Sequence, residues 1–171
     1  FGATVTLLDS IEACRDYAEA KAAKGEGFLL NQFANPDNYM AHYKTTAPEI
    51  WRDTNGKITH FVSAMGTTGT IMGCSRFLKE KNPTVHIAGC QPTDESSIPG
   101  IRKWPAAYLP KIFEPERVDS VIEVSQADAV TFTRRLAKEE GIFAGMSSGG
   151  AAYAAVKLSE EISSGIIVFI V

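Results

Sequence analysis

Apolar residues in this chain gather in short runs separated by stretches with helical spacing. Residues 4–8, 28–33, 58–65, 85–90, 121–124 and 166–171 read as strands, most of them bounded by Gly, Pro or Asn. Between the first two, Asp9 with Glu12 makes a capping-box-like start for a helix that runs towards Gly25, a residue suited to the C′ position. Thr46 with Glu49 is a second such box, leading a short helix through Trp51 to a turn at Thr54-Asn55-Gly56. Residues 71–79 and 151–158 have helical character, and Ser125 with Asp128 caps a helix that ends near Gly141. Repeated strand–helix units predict an α/β fold with a parallel sheet flanked by helices on both faces. The turn at Asn35-Pro36 marks a soft boundary: residues 1–36 read as the tail of one domain and residues 37–171 as most of a larger one. No internal repeat or low-complexity segment interrupts the pattern.

One turn in this pattern carries candidate chemistry. Gly66-Thr67-Thr68-Gly69-Thr70 follows a strand and opens a helix, so unpaired N–H groups and the positive end of the helix dipole face one small volume. Glycines let the backbone close around an anion, and three threonine hydroxyls add donors. No Gly-Lys-Ser/Thr follows at P-loop spacing, and Gly66, Gly69 and Gly73 do not fall as a dinucleotide fingerprint. A single phosphate remains, on a phosphorylated cofactor or a sugar, alongside the plainer reading of an ordinary glycine-rich turn. Gly145-Met146-Ser147-Ser148-Gly149-Gly150 stands before a second helix of small residues, 81 positions later counted from Gly66 to Ser147 (147 − 66). Two helix N-termini in one α/β chain can converge on one ligand, or Ser147 or Ser148 can serve simply as an N-cap.

Composition narrows the class without choosing an activity. With 44% hydrophobic and 22% charged residues and a formal charge of −3, the chain is an ordinary globular one. No basic cluster with interleaved aromatics predicts a nucleic-acid surface, and no apolar run reaches membrane-spanning length. Cys14, Cys74 and Cys90 read as small apolar fillers, in keeping with reduced thiols in a cytoplasmic protein. His42, His60 and His86 lack ligand spacing, so no metal site is expected. The proline-punctuated connection over residues 91–115 is long enough to expect a function, and its Arg102 and Lys103 suit an oxyanion.

Taken together, Gly66-Thr67-Thr68-Gly69-Thr70, Asn35-Pro36-Asp37-Asn38, Thr45-Thr46-Ala47-Pro48-Glu49-Ile50-Trp51 and Gly145-Met146-Ser147-Ser148-Gly149 resemble the cysteine synthases. These are fold-type II (tryptophan synthase β-like) enzymes dependent on pyridoxal 5′-phosphate. The resemblance covers essentially the whole chain. The segment Ser96-Ser97-Ile98-Pro99-Gly100-Ile101-Arg102-Lys103-Trp104-Pro105 is similar to the B isozyme, which accepts thiosulfate as well as sulfide.

The resemblance implies roles for particular residues. Gly66, Thr67, Thr68, Gly69 and Thr70 match the loop that holds the cofactor phosphate, and Ser147 matches the serine whose hydroxyl meets the pyridine nitrogen. A hydroxyl bonds that nitrogen without delivering a full proton, a weaker electron sink that favours loss of a β-leaving group. Gly100 borders the family's active site, and Arg102 lies at its entrance. The implied reaction is β-replacement: L-cysteine or S-sulfocysteine from O-acetylserine and sulfide or thiosulfate, in a cytoplasmic homodimer. The family's Schiff-base lysine and its substrate-carboxylate loop lie in an N-terminal segment that precedes the position matched by Phe1. The 171 residues are therefore expected to be an internal or C-terminal portion, with no covalent catalyst assigned within it. Two other readings stay open: another fold-type II lyase, such as a serine/threonine dehydratase or a cystathionine β-synthase-like enzyme, and a non-catalytic cofactor-binding or protein-interaction remnant.

Overall fold

The computed structural model describes residues 1–171 and divides them into two units, Phe1–Gln32 and Phe33–Val171, so that Asn35-Pro36 lies within the second. The first unit is organised by one helix, α1 (Ile11–Ala23). Its cap is Ser10 rather than Asp9, because the Ser10 Oγ is the atom that accepts from the Ala13 N–H, at 3.1 Å. At the other end Gly25 adopts φ +73°, the Gly25 N–H donates to Ala22 O and the Glu26 N–H donates to Lys21 O. This is the paired closure that a left-handed C′ glycine permits. Residues 4–8 and 28–33 are not strands. β-Structure requires a ladder, and neither segment joins the sheet; Val5, Leu7, Phe28 and Leu30 are exposed despite their strand-like composition.

The second unit begins with a helix that the pattern did not predict, α2 (Asp37–Lys44). Asn35-Pro36 reads as a breaker, yet Pro36 sits at the N-cap with φ −57° and the Asn35 Oδ1 accepts from the Asp37 N–H at 3.0 Å. A proline at this end of a helix costs no hydrogen bond. Helix α3 (Thr46–Asp53) follows directly, with Thr45 at its cap position and without the expected box. The Thr45 hydroxyl instead donates to Ala41 O at 2.8 Å, and the Thr46 hydroxyl faces His42 Nδ1 at 2.9 Å. The turn at Thr54-Asn55-Gly56 forms as expected, with Asn55 and Gly56 both at positive φ.

The remaining elements are β1 (His60–Ala64), α4 (Gly69–Lys81), β2 (His86–Pro92), β3 (Ser120–Val124), α5 (Gln126–Glu139), α6 (Met146–Glu160) and β4 (Ile167–Phe169). All strand pairs are parallel and the sheet order is β3-β2-β1-β4. Alternation along each strand divides the core in two. Phe61 and Ile87 face one layer with Ala47, Ile71, Met72 and Leu78, from α3 and α4. Val62 and Ala88 face the other with Ala151, Ala154 and Leu158, from α6. Both faces are covered, as a parallel sheet requires. Ser125 caps α5 as expected, its Oγ accepting from the Asp128 N–H at 3.1 Å.

Helices α2 and α4 approach each other through two glycines one turn apart. A Cβ on Gly73 would fall 2.7 Å from His42 Cβ and 2.8 Å from the Tyr43 N, and a Cβ on Gly69 would overlap the Asn38 Oδ1. Arg76 of α4 fixes the same contact from the side: its guanidinium lies 4.0 Å from the centroid of the Tyr39 ring and pairs with Glu114, which also holds Arg117. Gly73→Ala must push α2 away or bend α4. We expect it to lower the unfolding free energy by about 1–3 kcal/mol; a urea midpoint equal to that of the parent would show that α2 yields freely.

Candidate functional site

Because the strands are parallel, the segments leaving β1, β2 and β3 at their carboxyl ends emerge at one edge of the sheet. From β1 the chain passes through Met65 to Gly66-Thr67-Thr68 and enters α4. The first backbone bond of that helix runs from the Met72 N–H to Thr68 O at 3.0 Å, and the N–H groups of Thr67, Thr68, Gly69, Thr70 and Ile71 make no hydrogen bond to the protein. The first turn of α4 contains no acidic residue to compete for them. Thr68 holds φ +71°, a left-handed conformation that a β-branched residue rarely adopts. Its hydroxyl is buried with no partner. A strained residue, an orphaned buried hydroxyl and five free N–H groups around one turn are what an anion would complete.

Thr67 and Thr70 lie half-buried on either side of Thr68. The Asn38 Nδ2 donates to Thr67 Oγ1 at 3.1 Å, and Thr70 Oγ1 lies 3.3 Å from His42 Nε2. Burial lowers the pKa of His42, which favours the neutral ring. Neither Asn38 nor His42 is assigned to the site from sequence. They stand one turn apart on α2, and that helix is masked in the sequence by Asn35-Pro36.

The connection after β2 is far from structureless. It contains two 3-10 turns, Ala106–Tyr108 and Pro115–Arg117, and is anchored by Ile98 and Ile101, buried in the α6 layer. Its tip is tied to the exit of β1: the Arg102 N–H donates to Met65 O at 2.8 Å and the Trp104 Nε1–H to Gly66 O at 2.6 Å. Phe33 meets the Trp104 ring edge-on, with centroids 5.5 Å apart. Trp104 is thereby a brace for the glycine turn. Gly100 lies at the tip with φ +88°. A Cβ on Gly66 would stand 3.0 Å from the Gly100 carbonyl oxygen, and a Cβ on Gly100 would stand 3.1 Å from Ser147 Cβ and 3.2 Å from its Oγ. Gly66, Gly100 and Ser147 are therefore brought together, which links the two glycine-rich helix starts.

At the second start the cap position of α6 is Gly145, and no side chain caps the helix. The Ser147 hydroxyl makes no hydrogen bond, so the simple N-cap reading does not hold for it. Gly149 has a packing reason: a Cβ there would fall 2.6 Å from the Thr133 N and would overlap Ala129 O, both on α5.

The cations of the connection differ in their surroundings. Lys103 is bound by Asp94 at 2.6 Å and Glu123 at 2.8 Å; hydrogen bonds with these carboxylates raise its pKa, and the bond to Lys103 lowers that of Glu123. The Arg102 side chain is exposed and forms no ion pair. Cys74 and Cys90 are buried, and burial pushes their thiol pKa values up to about 12, which favours the neutral thiol. No group of His, Cys, Asp and Glu is arranged to hold a metal ion.

Comparison with known proteins gives a consistent answer. The family model described as pyridoxal-phosphate dependent enzyme matches residues 1–171. The chain is 53% identical to cysteine synthase B of Pseudomonas aeruginosa, over 100% of this chain and 58% of that protein. It is 54% identical to cysteine synthase B of Salmonella typhimurium, over 98% and 55% respectively. Among solved structures, O-acetyl serine sulfhydrylase isoform 3 from Entamoeba histolytica superposes with a TM-score of 0.81 at 34% identity, over 99% of this chain and 55% of that one. The chain thus spans a little over half the length of the relatives it matches.

The strain at Thr68 is measurable without any ligand. Thr68→Gly removes the left-handed β-branched residue, and we expect the unfolding free energy of the ligand-free protein to rise by about 1 kcal/mol. A lower denaturant midpoint would show that Thr68 is at ease in this turn.

Proposed function

Because the chain belongs to the pyridoxal-phosphate dependent enzymes over its whole length, we propose that it forms the phosphate-holding part of a cysteine synthase of the B type. The activity is synthesis of L-cysteine, or S-sulfocysteine, from O-acetylserine and sulfide or thiosulfate. The observation that carries this reading is the carboxylate-free turn at Gly66, Thr67, Thr68, Gly69 and Thr70, with its free N–H groups and the orphaned Thr68 hydroxyl. Such a turn suits one phosphate group and supplies no counter-cation of its own. The identity to two cysteine synthases B supports the choice of reaction within the family.

Pyridoxal 5′-phosphate, when bound, supplies the electron sink for chemistry at the α- and β-carbons of an amino acid. The residues of this chain hold and surround it. Backbone donors of the α4 start and the threonine hydroxyls bind the phosphate. The unpartnered Ser147 hydroxyl on the first turn of α6 would hold the ring nitrogen by a hydrogen bond, which would supply no full proton. Gly100, between the two starts, borders the substrate in this reading, and a Cβ there would crowd the Ser147 side chain. Arg102, with no carboxylate partner, draws an oxyanion such as thiosulfate, whereas the charge of Lys103 is already taken by Asp94 and Glu123. No lysine of residues 1–171 is assigned a covalent role.

In this reading residues 1–36 are the tail of a smaller domain and residues 37–171 most of the larger one. The whole protein works as a cytoplasmic homodimer on small-molecule substrates, with neither nucleic acid nor membrane as partner. No helix is long and apolar enough to cross a membrane.

The test is product analysis with the full-length protein, O-acetylserine and either sulfide or thiosulfate. Cysteine and S-sulfocysteine are expected; pyruvate from serine or 2-oxobutanoate from threonine would assign a dehydratase instead, and no turnover by a cofactor-loaded protein would assign a binding role. Arg102→Ala should reduce kcat/KM for thiosulfate about tenfold while sulfide changes less than about twofold; equal losses would remove Arg102 from donor selection. Ser147→Ala should retain the cofactor but shift its visible absorption band and slow turnover, and an unchanged spectrum would leave Ser147 without a role at the ring.

A further inference from the structure

Helix α2 contributes two side chains to the threonine turn, and both carry a hydrogen-bond donor. Asn38 and His42 are four residues apart and share one helix face. The Asn38 Nδ2 can only donate, so Thr67 Oγ1 accepts, and nothing in the chain takes the hydroxyl hydrogen of Thr67. His42 has Thr46 Oγ1 at 2.9 Å from Nδ1 and Thr70 Oγ1 at 3.3 Å from Nε2. In a neutral imidazole one nitrogen donates and the other accepts. If the Thr46 hydroxyl gives its hydrogen to Nδ1, then the Nε2–H points at Thr70 and the Thr70 hydrogen is released towards the turn.

We infer that Asn38 and His42 are positioning residues that make Thr67 and Thr70 obligate donors towards a bound phosphate. This rests on the phosphate-holding reading of the turn. A hydroxyl that already accepts one hydrogen bond is polarised as a donor. Two such hydroxyls add affinity for a dianion without placing a formal cation in the site. The arrangement depends on the close seating of α2 on Gly69 and Gly73, because a Cβ on Gly69 would displace the Asn38 amide. Thr46, at the start of α3, completes the relay in the tautomer whose Nδ1 accepts from its hydroxyl.

The experiment uses the full-length protein and pyridoxal 5′-phosphate, reading its dissociation constant together with the 31P chemical shift of the bound cofactor. Asn38→Leu and His42→Leu, which keep bulk and remove the donor, should each weaken binding by about tenfold and move the 31P signal. His42→Gln, whose amide places an N–H near the position of Nε2, should stay within about twofold of the parent with its signal unmoved. A packing role alone would not give rescue by this substitution together with an unmoved signal. Wild-type affinity and signal in both leucine variants would overturn the inference. If a leucine variant does not fold, Thr67→Val and Thr70→Val decide the matter: each should cost about tenfold, and unchanged affinity would overturn the inference. A full-length parent that binds no pyridoxal 5′-phosphate would instead overturn the phosphate reading on which it rests.

Discussion

In a parallel sheet every connection must return across a face before the next strand begins, so all strands deliver their carboxyl ends to one edge. This constraint places the exits of β1, β2 and β3 together, although Ala64, Pro92 and Val124 are far apart in sequence. What the chain adds is a way to bring those exits into van der Waals contact. The segment after β2 folds back so that its Arg102 N–H bonds Met65 O and its Trp104 ring bonds Gly66 O. The Gly100 carbonyl then fills the space where a side chain of residue 66 would stand. The second helix start is reached from the same glycine, since Gly100 abuts Ser147. A single backbone approach, Gly66 to Gly100, thereby couples the two halves of the site.

The glycines of this region serve two different needs. Gly66 and Gly100 are small because loop backbone meets loop backbone or a serine at the site. Gly69, Gly73 and Gly149 are small because helices must seat closely: α2 on α4 in the first two cases, and α5 on α6 in the third. A glycine-rich turn read from sequence alone merges these needs into one, as if every glycine were there to admit the phosphate. The separation matters for substitutions. Change at Gly69 or Gly73 disturbs the seating of α2 and reaches the turn through Asn38 and His42, whereas change at Gly66 strikes the loop contact itself.

The sheet, the helices that cover it and the two glycine-rich starts are legible in the sequence because each rests on a local signal: apolar strands, a serine cap at residue 125, a glycine end at residue 25. Three features are not legible, each for a physical reason. Helix α2 is hidden because Asn-Pro signals a break and a helix start equally well, and only the chain that follows decides. Residues 4–8 and 28–33 have strand composition but no ladder, because strand formation depends on a neighbour that composition does not report. The Thr46-Glu49 pair fits a capping box, but the Thr46 hydroxyl is taken by His42 from the preceding helix. The contacts of Asn38 with Thr67 and of His42 with Thr70 are hidden with α2, since without that helix their four-residue spacing carries no meaning.

The electrostatics of the turn follow from the same economy of elements. A phosphate dianion needs several donors, and lysine or arginine would supply them with charge. Of the basic side chains on α4 and the following connection, Lys79 pairs with Asp119, Arg76 with Glu114, and Lys103 with Asp94 and Glu123, which leaves Arg102 unpaired. The turn relies on the dipole of α4, on backbone N–H groups and on hydroxyls. Backbone N–H groups and hydroxyls do not themselves titrate near neutral pH. They are also fixed by the fold rather than by long flexible side chains, so little rotamer freedom is lost when the anion enters. The strain held at Thr68 fits this picture. A left-handed residue at the mouth of α4 leaves the following N–H groups without protein partners and open to an anion.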